Sequence, residues 1–275
     1  MPKTTRDSRW KLATVILSLL VLVLVAMLIR NRYYPGAEEK PAVVEVTPRP
    51  PQPTFVGDIV LIIDDFGYRN DEVTDGFLAL DAPLTYAVIP GHRYSASFGQ
   101  AAERQGYEVI IHMPMETRSW VRGENKLRLL TTMSKPEIIN RLEEAFRELP
   151  MAAGINNHQG SKGTESTRLM GIVADYLKSR GAYFVDSRTS ARSVAVEVMH
   201  SRMVPVEQRA VFLDNDPDPD LIRVQLNELK AKSKAAGFAV GIGHARPNTL
   251  QVLQEEIPRI REEGFRFRYA SQGIG

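Results

Sequence analysis

The sequence predicts an α/β fold built on a mainly parallel sheet, open or closed into a barrel, and preceded by one membrane-spanning helix. Three observations point there. Strand-like apolar runs alternate with helical patterns through residues 59–269, as repeated strand–helix units require. The first run, Asp58-Ile-Val-Leu-Ile-Ile-Asp-Asp-Phe-Gly67, is aliphatic through its middle, like a strand buried on both faces. Residues 12–29 form an apolar stretch broken only by Thr14 and Ser18.

As a helix, residues 12–29 span ~27 Å, close to the ~30 Å hydrocarbon core of a bilayer. Lys3, Arg6, Arg9 and Lys11 precede the stretch, and Arg30 and Arg32 follow it. That excess predicts a cytoplasmic segment at 1–11, an inner-membrane anchor at 12–29, and the rest in the periplasm. A cleaved signal peptide, leaving a soluble periplasmic domain, is the alternative. It would carry small residues before the cut, which Ala26-Met-Leu-Ile-Arg30 does not offer, so an uncleaved signal-anchor is favoured. Residues 30–54 carry Pro35, Pro41, Pro48, Pro50, Pro51 and Pro53 and read as an extended linker. Residues 55–275 then form one domain, large enough for a filled core or an α/β barrel.

Within that domain, strands are expected at 59–63, 84–89, 108–111, 152–155, 182–185, 210–213, 238–242 and 265–269. Helices are expected at 72–80, 95–105, 135–149, 166–180, 221–236 and 249–263. Ser134 is placed to cap the third of these, with Pro136 near its first turn, where a missing N–H costs least. A net charge of +2, with no dense Lys/Arg tract beyond the membrane-flanking segment, argues against nucleic acid as a partner. The absence of cysteine excludes disulfides and thiolate metal sites.

Parallel α/β sheets carry their chemistry at the C-terminal ends of the strands. There the first strand delivers Asp64 and Asp65 together. Two carboxylates at an apolar rim repel one another and lose hydration, a cost that a cation or a proton offsets. Three of the five histidines, His112, His158 and His244, follow the third, fourth and seventh strands. Imidazole with carboxylate and no thiolate suits zinc or another borderline divalent metal. Asp186 and Ser187 follow the fifth strand and Asp214 the sixth, where they either shape turns or support the site. His92 and His200 read as surface residues, Met113 and Met115 as wall or core, and Trp120 as packing or a sugar-stacking side chain.

The segments Ile62-Ile-Asp-Asp-Phe-Gly67, Val109-Ile-Ile-His-Met-Pro-Met-Glu116, Gly154-Ile-Asn-Asn-His-Gln-Gly-Ser161, Val185-Asp-Ser-Arg188 and Gly241-Ile-Gly-His244 resemble the divergent polysaccharide deacetylases. The resemblance implies a distorted (β/α) barrel of about seven to eight mainly parallel strands. It also implies relation to carbohydrate esterases that remove acetyl groups from amino sugars with a divalent metal, zinc being the preferred candidate. On the matching positions it makes Asp64 the general base, Asp65 and His112 metal ligands, and His244 the acid that protonates the leaving amine. The second histidine of the familiar motif falls on Glu116. The third ligand is therefore His158, from the next strand, or Glu116 itself.

His158 is preferred. A sequential strand order sets it beside His112, with Asn157 placed to orient its ring, and it adds no third negative charge beside the two aspartates. Glu116 would then support the site or face substrate. Backbone N–H groups near Gly160 and Ser161 would meet the oxyanion. The expected function is metal-dependent removal of acetyl groups from an envelope polysaccharide such as peptidoglycan, with an acetylated glycan as partner. The replaced histidine motivates the alternative, a catalytically silent glycan-binding or envelope-scaffolding module on the same fold.

Overall fold

The computed structural model describes residues 6–33, 55–119 and 127–274. The chain divides into two compact units, residues 1–52 and 53–275. Residues 1–5, residues 34–54 of the expected linker, and Trp120 lie outside the described residues.

In the first unit, α1 (Arg6–Tyr33) holds a 24-residue stretch, Trp10–Tyr33, within which an 18-residue window has a mean hydropathy of 3.1. It contains the expected span and runs past it at both ends. Its length and composition admit a membrane anchor or a signal sequence. Thr14 donates its hydroxyl to the Trp10 carbonyl at 2.7 Å, so one of its two polar interruptions is satisfied within the helix.

The second unit alternates β1 (Gly57–Phe66), α2 (Glu72–Leu78), β2 (Thr85–Val88), α3 (Ser95–Arg104), β3 (Glu108–Met115), α4 (Lys135–Glu148), β4 (Gly154–Gln159), α5 (Thr167–Arg180) and β5 (Tyr183–Asp186). It continues with α6 (Ala195–Ser201), β6 (Val206–Gln208), β7 (Val211–Phe212), α7 (Pro219–Ala236), β8 (Phe238–His244), α8 (Pro247–Glu262), β9 (Phe265–Arg268) and α9 (Ala270–Gly273). The strands form one sheet in the order β6-β5-β4-β3-β2-β1-β8-β7, every pair parallel. β9 pairs in parallel with the first residues of β1, below the point where β2 joins it. The terminal strands β6 and β7 are not hydrogen-bonded to each other, so the sheet curls into a half-barrel with an open seam.

β6 was not expected. Val206-Glu-Gln208 has no apolar run of its own and is held as a strand by pairing with Phe184, Val185 and Asp186. Conversely, β1, β3, β4 and β8 run two to four residues past the apolar stretches that announce them, into the polar motifs. Neighbouring strands hold those residues extended, which local propensity does not encode.

Strand alternation sorts the side chains into two layers. Val60, Ile62, Ala87, Ile110, Val185, Val240 and Ile242 fill the inside of the curl, with Ala270 and Ile274 in the same cluster. Ile59, Leu61, Ile63, Ile111, Met113 and Met115 face the helices and form the larger outer core. Met113 and Met115 are thus core. The α4 cap forms as its sequence implies: Glu137 accepts the Ser134 N–H at 2.7 Å and the Ser134 hydroxyl at 2.6 Å, completing a capping box.

Candidate metal centre

Along β1, alternation points Val60, Ile62 and Asp64 inward, so Asp65 in a regular strand would point out. It does not. The pairing of β1 with β2 shifts register between Ile63 and Phe66, and Asp65 takes a φ of 71°. This irregularity re-aims Asp65, so that two consecutive carboxylates serve one crevice. A non-glycine residue with that φ carries strain of order 1–2 kcal/mol, eased for Asp. Gln159 at the end of β4 (φ 56°) and Arg188 just after β5 (φ 53°) are further non-glycine left-handed residues at the same rim.

The inward ends of β3 and β4 complete the cluster. His112 Nε2 lies 3.3 Å from Asp65 Oδ1 and 3.6 Å from Asp64 Oδ2. His158 Nδ1 lies 3.2 Å from the same Asp65 oxygen. The donor atoms of Asp65, His112 and His158 all fall within 4.8 Å of one another. Asp65 Oδ1 is buried and accepts no hydrogen bond, although two ring nitrogens face it. A carboxylate oxygen so placed suits a cation, and two imidazoles with one carboxylate suit zinc.

Behind this cluster stands Asn156, which sequence reasoning passed over in favour of Asn157. Its side chain is fully buried, pairs in register with His112, and bridges two groups. The Asn156 amide N–H donates to Asp64 Oδ1 at 2.7 Å, so its carbonyl oxygen faces His112 Nδ1, also at 2.7 Å. Nδ1 must therefore carry the proton, which leaves the Nε2 lone pair, on the side of Asp64 and Asp65, available to a cation. The signal was available: Asn156 and His158 are two residues apart on one strand and share a face. Asn157 instead spends its amide on the Ser187 N–H at 2.9 Å, the Gln159 carbonyl at 2.8 Å and the Thr189 hydroxyl at 3.3 Å. It organises the rim rather than orienting the His158 ring, because adjacent strand residues point apart.

His244, at the end of β8, sits opposite. Its Nε2 is 3.9 Å from Asp65 Oδ2, and its Nδ1–H donates to Asp214 Oδ1 at 2.8 Å. Asp214 is fully buried and also accepts the His244 backbone N–H at 2.8 Å and the Thr249 hydroxyl at 2.6 Å. Burial alone would depress the His244 pKa, but the Asp214 hydrogen bond and charge, with Asp64 and Asp65 behind, raise it above the ordinary value. Burial raises Asp64, and the charges of His112 and His244 offset only part of that.

Other expected residues stand further off. Glu116 Oε2 accepts the Thr131 N–H at 2.6 Å and the Thr131 hydroxyl at 2.5 Å, and Oε1 accepts from Lys162 at 2.6 Å. Its carboxylate is thus already engaged with the 127–131 segment. The Ser161 hydroxyl accepts the Arg118 N–H at 3.1 Å. Asp186 closes a turn by accepting the Arg188 N–H at 2.8 Å. His92 is half-buried against the Tyr68 ring, and His200 is exposed on α6. The crevice has a volume of about 440 Å³ and is lined by Asp64, His112, His158 and His244, together with Ser187 and Arg209 among others.

The family model for divergent polysaccharide deacetylases matches residues 61–274. The chain belongs to that family. An uncharacterized protein of Escherichia coli K12, YibQ, is 35% identical over 205 residues, covering 74% of this chain and 64% of that protein. The chain thus spans just under two thirds of that relative's length. Among solved structures, the uncharacterized protein ATU2773 of Agrobacterium tumefaciens C58 superposes with a TM-score of 0.75 at 18% identity, over 80% of this chain and 90% of that one. The catalytic domain of a peptidoglycan N-acetylglucosamine deacetylase from Eubacterium rectale shares the fold at a TM-score of 0.51 and 15% identity, over 78% of this chain and 88% of its own. So does BA3943, a CE4 family pseudoenzyme from Bacillus anthracis, at 0.50 and 14%, over 80% of this chain and 66% of its own. The fold therefore hosts active and silent proteins alike, and the decision rests with the site.

Proposed function

We propose that this protein is a metal-dependent hydrolase that removes acetyl groups from an N-acetylated envelope polysaccharide. The observation that carries the reading is the convergence of Asp64, Asp65, His112, His158 and His244 on one crevice at the strand ends. Asp65 Oδ1, His112 Nε2 and His158 Nδ1 would hold a divalent cation, zinc by donor chemistry. When bound, such an ion polarises a carbonyl and acidifies water.

The residues around it divide the proton work. Asp64 has one oxygen tied to Asn156, which leaves Oδ2 to accept a proton from the attacking water. Its raised pKa makes it a stronger base than an exposed aspartate. His244 is held by Asp214 through Nδ1, so Nε2 carries the proton into the crevice for the departing amine. Its raised pKa keeps that proton in place further towards neutral pH.

The test uses the full-length protein, purified in detergent and loaded with zinc, against peptidoglycan and N-acetylated oligosaccharides. Acetate release that stops on chelation and returns with metal supports the reading. Stoichiometric metal without acetate from any substrate would overturn it. The basic residues flanking α1 favour a domain outside the cytoplasm. Protease added to spheroplasts should then digest it, and full protection would overturn that topology.

A further inference from the structure

Arg209 occupies the two-residue gap between β6 and β7, at the open seam of the sheet. Its backbone N–H donates to the Asp186 carbonyl, while that of Ala210 donates to the Val240 carbonyl, each at 2.9 Å, so the chain crosses the seam here. The side chain turns back into the crevice. Nε donates to the Ser187 carbonyl at 2.7 Å, Nη2 to the Arg188 carbonyl at 3.2 Å, and the guanidinium lies 4.6 Å from the centre of the Phe212 ring. Among the described residues it forms no ion pair. Burial disfavours its charged form most; the fields of Asp64 and Asp186 favour it, and Arg188 opposes them.

Ser187 adds a second, independent observation. It is 7% exposed, lines the same crevice, and its hydroxyl has no hydrogen-bond partner. A buried hydroxyl without a partner is costly, as is a half-buried guanidinium without a counter-ion, and a ligand can satisfy both at once. Arg209 is the one lysine or arginine lining this crevice among the described residues. Arg209, Phe212 and Asn215 also line a second cavity of about 430 Å³.

We infer that Arg209 and Ser187 form an acidic-sugar subsite, so that the glycan this domain acts on carries a carboxylate near its N-acetyl group. The planar guanidinium and the hydroxyl present donors, and a carboxylate is an acceptor at both oxygens. That the ligand is a glycan rests on the deacetylase reading above. The carboxylate could belong to a lactyl ether, as in muramic acid, or to a uronic acid, and the two are separable by experiment.

Zinc-loaded full-length protein in detergent is titrated calorimetrically with two tetrasaccharides and the methyl ester of each. One is built of N-acetylglucosamine and N-acetylmuramic acid, the other of N-acetylglucosamine and glucuronic acid. At least one free acid should bind about tenfold or more tighter than its ester. Arg209→Gln should bring that ratio close to one while zinc content is unchanged. If Arg209 merely braced the 187–188 carbonyls, both forms would weaken together and the ratio would persist. Should Arg209→Gln fail to fold, Ser187→Ala serves in its place and should reduce the same ratio. Equal binding of acid and ester by the wild type, no binding of either, or an unchanged ratio in the folded variants would overturn the subsite. Acetate release from neutral N-acetylated chitotetraose is measured in parallel. Its presence without acid–ester discrimination sinks the subsite alone, and its absence from every substrate with discrimination intact sinks the deacetylase reading alone.

Discussion

Replacing Asn156 with alanine should destabilise the domain more than any surface change. Asn156 is fully buried and makes two 2.7 Å hydrogen bonds, one to Asp64 Oδ1 and one to His112 Nδ1. Both partners are themselves buried, at 3% exposure each. Removing the amide leaves a carboxylate oxygen and a ring N–H without partners, at about 1–3 kcal/mol each, or roughly 2–6 kcal/mol together. For a domain of this size each kcal/mol moves the melting temperature by about 2–4 °C, so a drop of roughly 5–20 °C is expected. The assay is calorimetric melting of the full-length protein in chelator, since bound metal would mask part of the loss. Zinc affinity, measured by competition with a chromophoric chelator, should fall about 10- to 100-fold, because the His112 tautomer is no longer fixed. A drop below about 2 °C with unchanged zinc affinity would refute the bridge as the element that holds these two groups.

Three further outcomes follow from the same geometry. Asp65→Ala should lose zinc, whereas Asp64→Asn should keep zinc and lose acetate release; equal metal loss in both would mean the two carboxylates ligate jointly. His158→Ala should lose zinc while Glu116→Ala retains it, since Thr131 and Lys162 already engage the Glu116 carboxylate; the reverse pattern of metal content would exchange their roles. Asp214→Asn should lower the His244 pKa and move the alkaline limb of the pH–rate profile to lower pH. In stability, the raised His244 pKa helps fully below its unfolded value of 6.5 and is lost as pH rises through the folded value. The lowered Asp214 pKa, held down against burial chiefly by the His244 hydrogen bond, helps above 3.8 and is lost as pH falls through its folded value. The pair therefore stabilises most between pH 3.8 and 6.5, and the variant should lose most melting temperature in that window. A pH-independent loss would rule out the charge pair as its cause.

Much of this was legible in the residues. The run Ile59–Ile63 reads as an interior strand, and alternating elements of this spacing imply a mainly parallel sheet, whose strand ends are where the chemistry lies. Hence Asp64, Asp65, His112, His158 and His244 were identifiable from where the apolar runs stop. The capping box at Ser134 and Glu137 was equally local. So was the apolar helix, whose length and composition are properties of a contiguous segment.

What the tertiary structure decided is everything that depends on residues distant in the chain. The turning of Asp65 towards Asp64 follows from a register shift against β2, and no pattern within β1 announces it. Asn156 matters because it faces Asp64, 92 positions away, across the inside of the curl. β6 exists because β5 offers it an edge, and Arg209 reaches the crevice because the sheet fails to close between β6 and β7. Sequence periodicity reports which face a side chain takes, since that is set by the backbone of its own segment. Which groups share a face across strands, and whose burial leaves them without a partner, is set only by pairing and curvature.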